Sequence, residues 1–333
     1  MTSTVEVIRI YLQTTTQSNS ELMETVQDLS PGPRDDIIAG IIVFLVGVCG
    51  LAANVTAIRI IRKVSSLKNC FGYLLLLHAS GEAAVMTIFI FWSAPISFFQ
   101  NSIFDSIFGL KIGHLILFFY FICLYVQLFK ALNRLTAISS PVFYREYFSD
   151  QNAKFFILIV IVIAAGHSVV YFFPGCDFYF DGNNHVWTFA ATSCGAVIST
   201  YIDFYYGCTL MSIIVLIDAI TLFNIQKGRR LMNKAGFQRQ KEVQFFMQAC
   251  STSILYVLML ASFHLVWRLT SDPWLLFSST TLAWELCHAL DGILMIAFNA
   301  KLRNNSPVAS IQARTTKISS KTDFTKTAVF RIS

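Results

Sequence analysis

The chain is patterned in long hydrophobic runs that are separated by short polar stretches. The runs hold few charges and follow neither the two-residue period of a half-buried strand nor the 3.6-residue period of a surface helix. A bilayer core about 30 Å thick needs about 20 apolar residues in a crossing helix. Seven runs meet this requirement. They are Ile37 to Ile61, Phe71 to Phe99, Leu110 to Phe129, Phe155 to Phe173, Val197 to Phe223, Phe245 to Trp267 and Leu275 to Phe298.

This pattern predicts an all-α membrane protein, a seven-transmembrane helix bundle. Because the linkers are short, consecutive helices are expected to be antiparallel neighbours in one domain, residues 37–299, between tails at 1–36 and 300–333. Composition agrees, since 55% of the residues are hydrophobic and 13% are charged, against about 25% charged in soluble domains. No signal peptide is apparent before the first run, which we expect to direct membrane insertion.

Lysine and arginine orient the predicted bundle. Near the helix ends, 18 of them fall on one side and three on the other. Cytoplasmic loops preferentially hold these residues, so we predict an extracellular N-terminus and a cytoplasmic C-terminus. Because the charges are spread over four segments, we interpret the net charge of +6 as a topology signal and expect no nucleic-acid partner. The apolar spans imply membrane lipid as a partner.

Two of the eight cysteines, Cys176 and Cys194, lie in a predicted extracellular loop, between the fourth and fifth runs. The others lie within runs or at a cytoplasmic edge. A disulfide that closes this loop would contribute about 3 kcal/mol through chain entropy. We predict this pairing, with two free thiols as the alternative.

Several runs contain ionisable residues, each of which costs about 2.5 to 3.5 kcal/mol to place in a bilayer. They are His78, Glu82, Asp203, Asp218, Glu285, His288 and Asp291. The last three recur at i, i+3 and i+6, along one stripe of a helix that must face the bundle interior or water. The alternative to a functional role is interhelical hydrogen bonding that holds the bundle together.

Depth along the helices divides the candidate functional residues of the spans into two groups. Because the seventh run enters from outside, we place Glu285 and His288 at a ligand pocket and Asp291 deeper. The ligand-binding candidates are His114, Asp203, His264, Trp267, Glu285 and His288, and the polar core candidates are Asn54, Glu82 and Asp291. An aromatic belt at the membrane interface explains Trp267 equally well. We expect no cofactor and no metal.

At the cytoplasmic side the chain resembles the rhodopsin-like G-protein-coupled receptor superfamily. Asn133-Arg134-Leu135 stands where that superfamily has Asp-Arg-Tyr, and Asn54 matches its first-helix Asn. Asp291 preserves only the first position of its Asn-Pro-x-x-Tyr motif. The chain also departs from the superfamily at Gly109, where a Cys is usual, and in the absence of Pro from the sixth run.

A more specific resemblance covers residues 36–299. Its motifs are Gly50 with Asn54, Ser66-Leu67-Lys68-Asn69-Cys70-Phe71-Gly72, Asn133-Arg134 with Pro141 and Tyr144, and Pro174-Gly175-Cys176-Asp177-Phe178-Tyr179 with Trp187 and Cys194. Together they resemble the nematode serpentine receptor class X. The resemblance implies a plasma-membrane chemosensory receptor, found in sensory cilia, with a small-molecule ligand and a heterotrimeric G protein as partners. It makes Arg134 the coupling residue, together with Asn133, Pro141 and Tyr144, and makes the Cys176 to Cys194 loop a lid.

Other classes of seven-span protein are less favoured. A retinal protein needs a lysine in the last run, which has none. A zinc hydrolase needs clustered ligands, for which Glu285, His288, Asp291 and His78 are the available set. A channel or transporter remains the main alternative to a receptor, and we expect no enzyme. Ile116 stands where amine receptors place an Asp, so we expect an uncharged or weakly acidic ligand.

Overall fold

The computed structural model describes residues 32–99, 106–231 and 236–304. Within these ranges, seven helices are long and apolar enough to cross a membrane, which confirms the predicted bundle. They are α1 Pro33–Lys63, α2 Cys70–Phe99, α3 Ile107–Ser139, α4 Ala153–Phe172, α5 Ser193–Lys227, α6 Phe246–Leu265 and α7 Pro273–Phe298. Most of the two predicted tails lies outside the described residues.

Several helices extend beyond the predicted runs, and α1 and α3 show why. Helix α1 begins at Pro33, within the predicted N-terminal tail, because proline suits the first helical turn and the backbone N–H of Gly32 donates to Asp35 Oδ2 at 3.1 Å. Helix α3 continues past its apolar run, through Arg134, to Ser139. A short helix, Pro141–Tyr147, follows it. Hydropathy locates the apolar part of a helix and does not mark where the hydrogen-bonded backbone ends.

Side-chain caps begin four of the helices. Asn69, Ser106, Thr192 and Asp272 each accept a hydrogen bond from the backbone N–H three residues later, at 2.9, 3.2, 2.9 and 2.7 Å. Such caps satisfy amides that the first turn leaves unpaired. Gly72 is needed beside the Asn69 cap, because a Cβ there would overlap the carbonyl of Leu67.

The loop between α4 and α5 folds into a β-hairpin. Strand β1, Phe178–Asp181, pairs antiparallel with β2, Val186–Phe189, so that Phe178 faces Phe189. A disulfide joins Cys176 to Cys194 with a Cα–Cα distance of 5.0 Å, which confirms the predicted pairing. Gly113 of α3 lets β1 approach, since a Cβ there would overlap the carbonyl of Phe178. We call this side of the bundle the hairpin end and the opposite side the Arg134 end.

Three helices contain π-helical segments in the half nearer the hairpin. They are Phe89–Ser93 in α2, Ile198–Tyr205 in α5 and Ser278–Leu282 in α7. A π segment rotates the side chains that follow it and is frequent at functional sites. In α5 it accompanies a buried Asp203, whereas Tyr201 and Tyr205 are exposed.

The helices pack as a closed bundle around α3. Helix α1 packs against α2 and α7, α3 packs against α2, α4 and α5, and α6 packs against α5 and α7. The hairpin is fixed to α7 by Thr281, whose hydroxyl donates to the carbonyl of His185 at 2.8 Å and accepts from the N–H of Trp187 at 3.2 Å. The hairpin therefore covers one end of the bundle.

Candidate functional site

Four ionisable side chains meet in the middle of the bundle. We call His78, Glu82, His288 and Asp291 the polar cluster; none of them is exposed to solvent. His78 Nε2 lies 2.7 Å from Asp291 Oδ2 and 3.0 Å from Glu82 Oε1. The other carboxylate oxygen of Glu82 pairs with His288 Nδ1. The cluster is thus a chain of alternating acids and imidazoles across α2 and α7.

Three more helices contribute to the polar cluster. From α6, Tyr256 donates to Glu82 Oε1 at 2.9 Å, and Thr252 donates to Asp291 Oδ1 at 2.5 Å. Asn54 of α1 donates to the carbonyl of His288 at 3.2 Å. Cys123 of α3 lies 3.8 Å from the carbonyl of His78. Five helices therefore share one hydrogen-bonded network.

The predicted polar core residues all belong to this network, although not as a direct trio. Glu82 and Asp291 are bridged by His78, and Asn54 contacts the backbone of α7. His288 was predicted to face a ligand and pairs here with Glu82; its ligand role stays a prediction. Ligand atoms of His78, Glu82 and Cys123 lie within 4.8 Å of one another and could hold a metal, but His78 Nε2 already pairs with Asp291.

Glu285 is separate from the cluster. Its side chain is buried, and neither carboxyl oxygen has a hydrogen-bond partner among the described residues. Oε1 lies 3.1 Å from the position that a Cβ of Gly47 would take, so Glu285 faces α1. The predicted ligand role of Glu285 stays a prediction.

Two predicted ligand residues form a buried pair nearer the hairpin. His264 Nε2 of α6 lies 2.9 Å from Asp203 Oδ2 of α5. The pair borders a cavity of only about 20 Å³, which is also lined by Phe178 and Trp284. Such a volume holds about one water molecule. The structure leaves little space at this pair.

Aromatic rings join the hairpin to the polar cluster. Trp284 of α7 contacts Trp187 and Phe178 of the hairpin, each with ring centroids 5.8 Å apart. On its other side, Trp284 lies 6.0 Å from both Tyr120 and His288. One ring, that of Trp284, therefore lies between the hairpin and His288.

A larger cavity, of about 800 Å³, lies at the hairpin end. The edge of β2, the start of α5 and the hairpin halves of α6 and α7 form its walls. Its polar lining includes Asn184, Thr188, Ser199, Thr200 and Thr280, and Asp181 supplies a carboxylate. Its size is typical of small-molecule sites.

None of the five predicted ligand residues with a described side chain lines this larger cavity. His114 Nε2 lies 3.3 Å from Asp177 Oδ1, and its Nδ1 lies 3.4 Å from Lys111 Nζ. His114 therefore sits between the start of α3 and the residue before β1. The side chain of Trp267 lies outside the described part of the structure.

At the Arg134 end, α3 is joined to α5 by an ion pair. Arg134 Nη2 lies 2.5 Å from Asp218 Oδ1, and both side chains are buried. Pro141 begins the short helix that follows α3. Tyr144 of that helix has its pKa raised by burial, and a hydrogen bond to Asn133 partly offsets the increase.

Comparison with known proteins identifies the family. Residues 44–299 match the family model for the serpentine type seven-transmembrane GPCR chemoreceptor Srx. The chain belongs to the Srx family. This result confirms the resemblance to class X receptors. Srx is a family of chemoreceptors and not of enzymes.

Individual relatives agree with the Srx assignment. Serpentine receptor class X 45 of Caenorhabditis elegans is 27% identical over 81% of this chain and 80% of its own length. Serpentine receptor class X-43 from the same organism is 24% identical over 81% and 86%. Squid rhodopsin superposes with a TM-score of 0.61 at 14% identity, covering 82% of this chain and 85% of its own. The rhodopsin match shows a rhodopsin-like fold alone.

Some residues of this Srx site were not proposed from the sequence. Tyr120, Thr252 and Tyr256 are polar residues inside apolar runs, but a hydroxyl in a span can also bond its own helix, as Thr221 does. Asp218 was recognised as an ionisable intramembrane residue without a partner. Only the packing of α3 against α5 reveals that Arg134 is that partner.

Proposed function

We propose that this chain is a chemosensory receptor of the plasma membrane, including that of sensory cilia, with its N-terminus outside the cell. A small molecule binds at the hairpin end, and a heterotrimeric G protein binds at the Arg134 end. The Arg134–Asp218 ion pair carries this proposal. It holds Arg134 inside the bundle, and Arg134 is the residue to which the resemblance to class X receptors assigns G-protein coupling.

The cavity at the hairpin end supports the ligand part of the proposal. Most of its polar lining consists of hydroxyl and amide groups, which favour an uncharged ligand with several hydrogen-bonding groups. The carboxylate of Asp181 is already engaged, since it accepts from the N–H of Asn183 at 3.0 Å and from Asn184 Nδ2 at 2.6 Å. Since these neutral donors leave Asp181 charged, the proposal of an uncharged ligand rests on the hydroxyl and amide lining.

The ion pair supports the coupling part. Breaking a buried ion pair by removing one partner is strongly unfavourable, because it leaves the other charge uncompensated. A state in which Arg134 reaches a G protein must separate it from Asp218 and supply another partner. We infer that the paired arrangement is the resting state and that separation of α3 from α5 accompanies activation.

The experiment compares two variants in cells that report G-protein activation. Asp218→Asn removes the charge that holds Arg134 and should raise ligand-independent signalling about threefold or more; a threefold change corresponds to about 0.65 kcal/mol. Arg134→Ala should abolish signalling when the signal is normalised to the amount of receptor at the cell surface. Glu146→Gln, at an exposed acid of the short helix, is the matched control and should change neither. Wild-type signalling from Arg134→Ala would refute this coupling role.

A ligand screen on the same cells separates a receptor from a channel. Test compounds are applied while G-protein activation and membrane current are recorded together. The receptor proposal requires activation that Arg134→Ala eliminates. A ligand-gated current that persists in cells without functional G proteins would favour the channel alternative.

A further inference from the structure

A crevice between α5 and α6 faces the side of the bundle, away from the hairpin-end cavity. Its volume is about 500 Å³. Val215 and Leu216 from α5, and Val257 and Leu265 from α6, line it, and each is 45 to 60% exposed. Both helices are long and apolar enough to span a bilayer. The crevice therefore opens toward lipid.

The walls of the crevice offer hydrocarbon contacts. None of the described residues that line it is charged. The hydroxyl of Ser212 donates to the carbonyl of Cys208 at 2.7 Å, within α5. Burying a polar group here without a partner would be costly. The part of a molecule that fills the crevice must be an alkyl chain or a similar apolar group.

One end of the crevice lies beside the Asp203–His264 pair, although neither of these two residues is among the crevice lining. Leu260 lines both the crevice and the small cavity beside this pair. Phe204 lines the crevice, and its ring lies 4.8 Å from that of His264. An alkyl chain in the crevice would therefore direct its head toward two buried polar side chains.

The hairpin restricts the other approach to this pair. Phe178 and Trp284 border the small cavity from the hairpin side, and about 20 Å³ is left between them and the pair. A head group much larger than one hydroxyl does not fit there. A hydroxyl suits the pair chemically, because it can donate to the Asp203 carboxylate, whose Oδ2 lies 2.9 Å from His264 Nε2.

We propose that this crevice is a second binding site, which takes a long-chain alcohol or similar single-chain amphiphile from the bilayer. Its alkyl chain lies between α5 and α6, and its hydroxyl lies at Asp203 and His264. Ala219 lines the crevice and follows Asp218 in the chain. An occupant therefore contacts α5 at the residue next to Asp218, which pairs with Arg134 of α3. It can in this way bias the resting state.

Photolabelling tests this site without any signalling readout. The purified receptor in phosphatidylcholine nanodiscs is incubated with a long-chain alcohol that carries a diazirine on its chain, and the labelled peptides are mapped by mass spectrometry. Label should concentrate on α5 and α6 around Ser212, Ala219 and Ala261. Excess unlabelled alcohol should remove it, whereas an alkane diazirine of equal length should label these peptides about tenfold less.

Filling the crevice provides the decisive variant. Ala261→Trp should reduce labelling of α5 and α6 about tenfold, and Ser212→Phe serves the same purpose if the first variant does not fold. Val162→Trp, at a 59% exposed position of α4, is the control and should leave labelling unchanged. Labelling that survives crevice filling, or that follows lipid exposure on all helices, would overturn the site. Neither result bears on G-protein coupling, which is measured separately.

Discussion

Glu82 and Glu285 are equally buried but have opposite surroundings. Glu82 is engaged by His78, Tyr256 and His288, whereas Glu285 has no hydrogen-bond partner among the described residues. Burying a carboxyl group costs free energy, which hydrogen bonds and ion pairs offset only when they are made. The two residues therefore differ in what they contribute to stability.

The same chemical change should have different effects at these two positions. Glu82→Gln removes the charge that engages two imidazoles and should lower the free energy of unfolding by about 3 kcal/mol. Glu285→Gln replaces one unpartnered polar group by another and should change it by less than about 1 kcal/mol. The measurement is the thermal unfolding midpoint of each purified receptor in detergent.

Ser80→Ala is the control, since Ser80 is exposed on the same helix as Glu82 and its hydroxyl donates to the carbonyl of Leu76, one turn earlier in that helix. If both glutamine variants lose the same amount of stability, Glu285 must be engaged by polar groups as strongly as Glu82 is. If Glu82→Gln leaves the unfolding midpoint unchanged, the ion pairs of the polar cluster do not stabilise the receptor.

The sequence predicts that the ionisable residues of the spans face inward, but it does not predict which of them pair with each other. The cost of exposing His78, Glu82, His288 or Asp291 to lipid is a local property that the sequence reveals. Which acid meets which imidazole depends on how α2 and α7 are rotated against each other. That rotation is set by packing, for example by Ala289 of α7 against Gly50 of α1.

The hairpin shows the same division at the level of elements. The two cysteines predicted its disulfide, because both lie in one predicted extracellular loop. Its strands have four residues each and did not stand out as a period-two pattern. They are stable through tertiary contacts, such as the stacking of Phe178 on Trp187 at 5.4 Å. Short strands of this kind depend on surfaces elsewhere in the chain.

Removing the disulfide should loosen the hairpin as a unit. Cys176→Ser, Cys194→Ser and the double variant should lower surface expression to the same extent, because each breaks the same bond. The expected loss of stability is about 3 kcal/mol by loop entropy. Cys208→Ser, at a free cysteine of α5, is the control. Additive losses from the two single variants, measured by surface staining, would argue against their pairing.

The hairpin should also make stability depend on pH through His185. Its Nε2 lies 3.1 Å from Asp36 Oδ1 of α1. Burial lowers the pKa of His185 below its ordinary 6.5, and Asp36 opposes only part of that shift. Because the unfolded chain then binds the proton more readily, this contribution to stability is complete above pH 6.5 and decreases as the pH falls below it.

His185→Asn should weaken this pH dependence. Asn tolerates the positive φ of 56° found at His185, so the backbone of the turn is preserved. Unfolding midpoints are compared at pH 7.5 and 5.5, approximate values that bracket the ordinary histidine pKa. The wild-type midpoint should fall more than that of the variant over this interval. Identical pH dependence in the two proteins would exclude His185 as a contributor.

At the scale of the whole molecule, both proposed binding sites involve α6. Phe263 lines the hairpin-end cavity and the small cavity, and Leu260 lines the small cavity and the crevice. The same helix sends Thr252 and Tyr256 to the polar cluster. Occupants of either site would therefore act on one helix that also holds the centre of the bundle.

The orientation of the bundle is the last prediction, and both proposed sites depend on it. The N-terminal end of α1 and the disulfide-bonded hairpin lie on the same side, as the Asp36–His185 contact shows. Disulfides persist in oxidising compartments, and this side also has the fewer lysines and arginines. An N-terminal epitope tag should therefore be labelled on intact cells, and a C-terminal tag only after permeabilisation. As a control on the hairpin itself, a tag inserted at Asn183 should behave like the N-terminal one. Surface labelling of the C-terminal tag would invert the bundle, place the hairpin-end cavity in the cytoplasm and favour the channel alternative over G-protein coupling.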